Sequence, residues 1–137
     1  MTQNEKDLLL KDLCARLPYG VKAIGNYSTN CCSVVNTIES ILHNNYVVIE
    51  GCNFDISNIK PYLFPLSSMT EEQKIDLIKY LDARLLFVRG EIIFSCLYAN
   101  TMDRWKRVFE WCIKNHFDIC GLIPMGLAID CTNLNIY

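Results

Sequence analysis

The sequence is short of the features that usually announce chemistry. It holds only two histidines, His43 and His116, so acid–base catalysis would fall mainly to carboxylates, of which Asp118 and Asp130 lie near glycines. No GxGxxG, P-loop, GxSxG or HExxH run occurs, which removes the common nucleotide, hydrolase and metalloprotease signatures. No CxxC pair occurs either, so the usual zinc knuckle is missing. An excess of positive charge is absent too: the net charge is −2, and any contact with polyanions would need a local basic patch. The most apolar window, LLFVRGEIIFSCLYA at 85–99, is broken by Arg89, Gly90 and Glu91 and falls short of the roughly 20 apolar residues of a bilayer span. MTQNEKDLLLKD carries Glu5, Asp7 and Asp12 where a secretory signal needs a basic then an apolar stretch, so a cytoplasmic protein without membrane contact is expected. Linkers, low-complexity tracts and repeats are not visible, and residues 1–137 read as a single α+β domain.

What is present is core material. Of 137 residues 51% are hydrophobic and 20% charged, the reverse of a disordered composition, and a chain of this length buries roughly two thirds of its unfolded surface. An apolar share this high also leaves room for homo-oligomerisation. Eight cysteines in a reducing cytosol act as small buried hydrophobes. Cys14 beside Leu13, Cys96 beside Leu97 and Cys112 between Trp111 and Ile113 read as core filler.

Thr2 and Glu5 match a capping box ahead of Leu10, Leu13, Cys14 and Leu17 at helical spacing, and Pro18, Tyr19 and Gly20 end that helix. VKAIGNY at 21–27 reads as a strand. SVVNTIESIL at 33–42 fits helix or strand by period; its β-branched content and the Asn44-Asn45 step into YVVIE at 46–50 favour a hairpin. Asp55 to Pro65 reads as a turn and extended passage. Thr70 and Gln73 form a second capping box opening a helix over about 71–86. Residues 86–99 remain open between helix and strand. Trp105, Val108, Phe109, Cys112, Ile113 and His116 recur at helical spacing, giving a helix over about 101–115 before a last strand in LAIDC. The expected fold is α+β: an N-terminal helix, a small antiparallel sheet or SH3-like partly open barrel, and two C-terminal helices.

DLCARLPYGV at 12–21, IKPYLFPLSSMTEEQ at 59–73 and HFDICGLIPMGLAID at 116–130 together resemble a family of small uncharacterised proteins frequent in gut Bacteroides and their phages or integrated elements. The resemblance covers about 40 residues spread along the chain. In that family the last block reads Tyr-Arg before Gly-Leu-Ile and Glu-Lys before the second glycine. Here Ile119-Cys120 and Pro124-Met125 stand there, so a metal role for Cys120 is not implied as a family property. The resemblance implies a context inside the bacterial cell and no reaction.

For zinc, Cys112, His116, Cys120 and Cys131 are the weak candidates. On one unbroken helix Cys112 and Cys120 would stand about 12 Å apart, too far for one ion, so the helix would have to end near Asn115. Packing is the expected role of Cys112. His116 is expected to sit as an imidazolium at a helix carboxyl end, donating to a free carbonyl, and Asp118 to cap or turn the chain. No catalytic residue and no cofactor are assigned. Arg104, Lys106, Arg107 and Lys114 lie beside Trp105 and Trp111 and form the candidate nucleic-acid face, with a solvated basic face as its bland counterpart. The functional expectation is a non-enzymatic accessory or interaction protein of a phage or mobile element with an unknown protein partner; a nucleic-acid-binding module is the alternative.

Overall fold

The computed structural model describes residues 1–27, 33–81 and 102–137, with the backbone alone of 85–88, 91–94 and 101. Cys31, Cys32 and Cys96 lie outside the described residues, as do 89–90 and 95–99 of the segment left open above.

Helix α1, Gln3–Arg16, opens on the expected box: the Thr2 side chain accepts from the Glu5 amide, and the Glu5 carboxylate accepts from the Thr2 amide at 2.6 Å. A 3-10 turn, Leu17–Tyr19, follows, and Gly20 closes it at φ 68, a left-handed conformation that costs glycine little. The buried face of α1 is Leu9, Asp12, Leu13 and Arg16. Cys14 is exposed, which corrects its reading as core filler. The inward stripe is rotated from the expected one because a charged pair occupies two of its positions.

Strands β1 (Lys22–Asn26), β2 (Ser33–Ile41), β3 (Tyr46–Ile49), β4 (Cys52–Asp55) and β5 (Ile59–Leu63) belong to one sheet. With β8 (Ile129–Asp130), its order is β4-β3-β2-β1-β5-β8. The segment at 33–42 is therefore strand. In its hairpin with β3, Asn44 and Asn45 take φ of 70 and 64, which asparagine tolerates far better than branched residues do. The sheet folds over on itself without closing into a barrel. Phe54 of β4 reaches across to β1, where a Cβ built on Gly25 would stand 2.9 Å from its ring, and Tyr27 meets the same ring at 4.8 Å between centroids.

The passage 55–65 holds a true strand, β5, antiparallel to β1. Pro61 sits within it because β8 pairs only with Tyr62 and Leu63, leaving Pro61 in the edge-like setting that proline accepts. Helix α2, Glu71–Leu81, is opened by the second box, with Thr70 and Gln73 exchanging bonds of 2.9 and 3.3 Å. It stops short of the expected residue 86, because Leu85–Val88 is β6 and pairs antiparallel with β7, Glu91–Phe94. The open segment is thus strand as far as it is described. Helix α3 spans Thr101–Lys114, and β8, Ile129–Asp130, runs parallel to β5.

The described residues form two apolar clusters. One joins α1 to the sheet through Leu9, Leu13, Val47, Ile49, Ile59 and Leu63. The other joins α2 to α3 through Leu77, Leu81, Val108, Trp111, Cys112 and Phe117. At roughly 25 cal/mol per Å² of apolar surface, each fully buried Leu, Ile or Phe contributes about 2 kcal/mol, so these clusters dominate stability.

Candidate functional site

Among the described residues, polar side chains gather at a buried joint between the apolar clusters and at an open cleft between α2 and α3.

The joint is centred on Arg16. Its side chain and that of Asp12 are 0% exposed, with Nε to Oδ2 at 2.6 Å and Nη2 to Oδ1 at 3.1 Å. Nη2 also donates to the Phe117 carbonyl at 2.9 Å, tying α1 to the end of α3. Such a pair is a poor source of net stability but costly to break, because removing one partner strands the other charge. The chain after α3 passes beside Phe64, whose amide donates to the His116 carbonyl at 2.9 Å and whose carbonyl accepts from the Asp118 amide at 2.8 Å.

The helix end explains where the suggestive residues lie. Phe117 N–H donates to Cys112 O at 2.8 Å and His116 N–H to Ile113 O at 3.2 Å, a Schellman closure with His116 at φ 61 in the position where glycine is usual. Cys112 is thus left one turn inside the helix while the chain reverses before Cys120. The His116 ring stacks on Tyr137 at 4.0 Å with 10° between planes. Burial first, and the Arg16 charge second, lower its pKa to about 4. His116 is therefore neutral at physiological pH, which corrects the expected imidazolium. Its buried Nδ1 has no hydrogen-bond partner among the described residues, and neither has Nη1 of Arg16.

The thiols here are held protonated. Burial raises Cys112 to about 12, with Arg16 opposing. Burial and then the Asp12 charge raise Cys120 to about 12, and burial with Asp130 raises Cys131 to about 11. The thiolate, which is the form that attacks carbon or binds zinc, is disfavoured at each. Among the described residues no three of His, Cys, Asp and Glu are placed to hold a metal ion. Asp118 turns the chain, Oδ1 accepting from the Leu122 amide and Oδ2 from the Ile123 amide, both at 2.8 Å. Asp130 accepts from the Thr132 amide and hydroxyl.

The cleft has a volume of about 450 Å³, within the range of roughly 300–1,000 Å³ usual for ligand pockets. Tyr19 comes from the turn after α1, Asp76 and Tyr80 from one face of α2, Glu110 and Lys114 from α3, and Asn115 from the residue that follows it. Trp111 forms its floor, fixed by stacking on Phe117 at 5.7 Å and by its indole N–H donating to Asp76 Oδ2 at 3.0 Å. Neither Asp76 nor Glu110 makes an ion pair among the described residues. Tyr19 and Tyr80 are each 42% exposed.

Of the proposed nucleic-acid face, Lys106, Arg107 and Lys114 are exposed and Arg104 is half-buried. Arg107 lies over the Tyr80 ring at 5.4 Å, and Lys114 lines the cleft beside Glu110. Asp103, Arg107, Glu110 and Lys114 follow one another at spacings of four, three and four, so charges alternate in sign along one stripe of α3. Sequence reasoning missed the Asp12–Arg16 joint and the cleft. The joint had a signal, since both residues fall at helical spacing with Leu9 and Leu13; the cleft had none, because its walls come from three separate elements.

Comparison with protein-family models, with curated proteins and with solved structures finds no match.

Proposed function

We propose that this chain is a non-enzymatic accessory protein that acts in the bacterial cytoplasm by binding a partner protein, and that the cleft between α2 and α3 is its recognition surface. The observation that carries the reading is the contrast between the two polar places. Cys112 and His116 are held neutral by burial and packed into the joint, whereas the cleft presents exposed aromatic rings and two carboxylates outside any ion pair among the described residues. The phage or mobile-element setting rests on the resemblance of the three sequence blocks described above.

The charges that alternate along the Asp103–Lys114 stripe of α3 favour a protein partner over nucleic acid, since Asp103 and Glu110 repel phosphates that Arg107 and Lys114, with Arg104 and Lys106 beside them, would attract. The test is affinity capture from host cytoplasm with mass spectrometry, comparing wild type with Tyr80→Ala and Glu110→Lys. A partner retained by wild type and lost with both variants supports the reading; a partner held equally by all three contradicts it.

A further inference from the structure

Resting on the recognition surface proposed above, we infer that the α2–α3 cleft receives the guanidinium of an arginine side chain from a partner polypeptide. The chemistry of the walls points there. The cleft's charged lining is Asp76, Glu110 and Lys114, a net −1. The Asp76 carboxylate is already oriented, because Trp111 donates its indole N–H to Oδ2 and Trp111 is itself held against Phe117. A carboxylate fixed in this way offers its remaining oxygen without the entropic cost of ordering it. Planar guanidinium suits such a site better than a compact ammonium, since it combines forked donation to carboxylates with stacking on aromatic faces.

The protein itself displays the second half of that chemistry. Arg107 lies over Tyr80 at 5.4 Å, so one face of this ring is engaged by a guanidinium of the chain itself. Tyr19, on the opposite wall element, is 42% exposed and offers a second ring. Lys114 is the opposing influence: an exposed cation on the same wall, whose long stem lets the ammonium stay in water at the rim. The two charges on α3 therefore act in opposite senses on the same ligand, and this provides a sharp test.

The probe is a blocked alanyl-arginyl-alanine peptide, with the citrulline peptide as its neutral isostere, followed by nitrogen-15 NMR on the full chain. The Trp111 indole N–H is a reporter set in the floor of the cleft. The arginine peptide is expected to shift this signal saturably in the millimolar range, and the citrulline peptide to bind at least about tenfold more weakly. Glu110→Gln is expected to weaken binding about threefold and Lys114→Gln to strengthen it about threefold, the scale of one exposed charge pair. Equal binding of the two peptides, no saturable shift, or the same direction of change in both variants overturns the inference. An oligothymidylate that shifts these signals where the peptide does not overturns it as well. If the peptide fails while partner capture still depends on Tyr80 and Glu110, the guanidinium assignment falls and the recognition surface stands.

Discussion

Arg16→Met is the most severe single change the fold predicts. The arginine makes two bonds to Asp12, at 2.6 and 3.1 Å, and one to the Phe117 carbonyl at 2.9 Å, with no exposed side-chain surface. Removing it leaves the Asp12 charge buried and uncompensated, a loss of about 3–5 kcal/mol. A domain of this size has a total stability of about 5–15 kcal/mol, so about a fifth or more is lost at once. Asp12→Leu alone strands Arg16 and costs a similar amount. The double variant removes both charges and should recover to within about 2 kcal/mol of wild type, the residue being the Phe117 carbonyl that loses its donor. Urea unfolding followed by tryptophan fluorescence at neutral pH measures all four proteins, with equal m-values as the control. An Arg16→Met loss under about 1 kcal/mol, or two single losses that simply add in the double variant, refutes the reasoning.

Other expectations follow from the same structure. The folded pKa of His116 is lowered to about 4, so its contribution to stability is whole above the ordinary value near 6.5 and is lost as pH falls toward 4. The thiols of Cys112 and Cys120 are raised to about 12, so theirs is whole below about 9 and is lost as pH climbs toward 12. Urea midpoints should be flat between and fall on both sides; a maximum near pH 5 contradicts this. Gly25→Ala should cost about 1–3 kcal/mol, because the new methyl meets the Phe54 ring at 2.9 Å; a neutral thermal melt contradicts that contact. His116→Gly should be more stable than His116→Ala by about 1 kcal/mol, since both delete the ring and differ in the cost of φ 61. Gel-shift assays at low salt should show no loss of affinity for duplex DNA on combining Arg104→Ala with Arg107→Ala; a large loss restores the nucleic-acid reading.

Local signals in the sequence carried much of the architecture. Thr2 with Glu5 and Thr70 with Gln73 place two helix starts to the residue, because a capping box depends on a few neighbouring groups. Asn44-Asn45 marks the hairpin for a similar reason: few side chains tolerate two successive positive φ angles. What escaped depends on distant partners. Cys14 looked as apolar as Leu13, and only the inward turn of Asp12 and Arg16 pushes it outward. Leu85 and Leu86 continue the helical period of α2, yet they pair with Ile93 and Phe94 as strand. His116 reads as an ordinary helix-end histidine until the reversal at φ 61 is seen to set its ring against Tyr137, far along the chain. The cleft is the extreme case, since Tyr19, Tyr80 and Trp111 carry no shared spacing.

Alkylation of the native protein with iodoacetamide, read cysteine by cysteine in a mass spectrometer, asks most directly whether the sulfur and imidazole groups around Arg16 serve packing. Among the described cysteines, Cys14, exposed on α1, should be modified first at pH 7, and Cys112 and Cys131, both buried, should be slower by about a thousandfold or more because they wait on unfolding. Modification of Cys112 or Cys120 as fast as Cys14 would mean an open, ionised thiol beside Arg16 and would return the joint to the list of reactive sites.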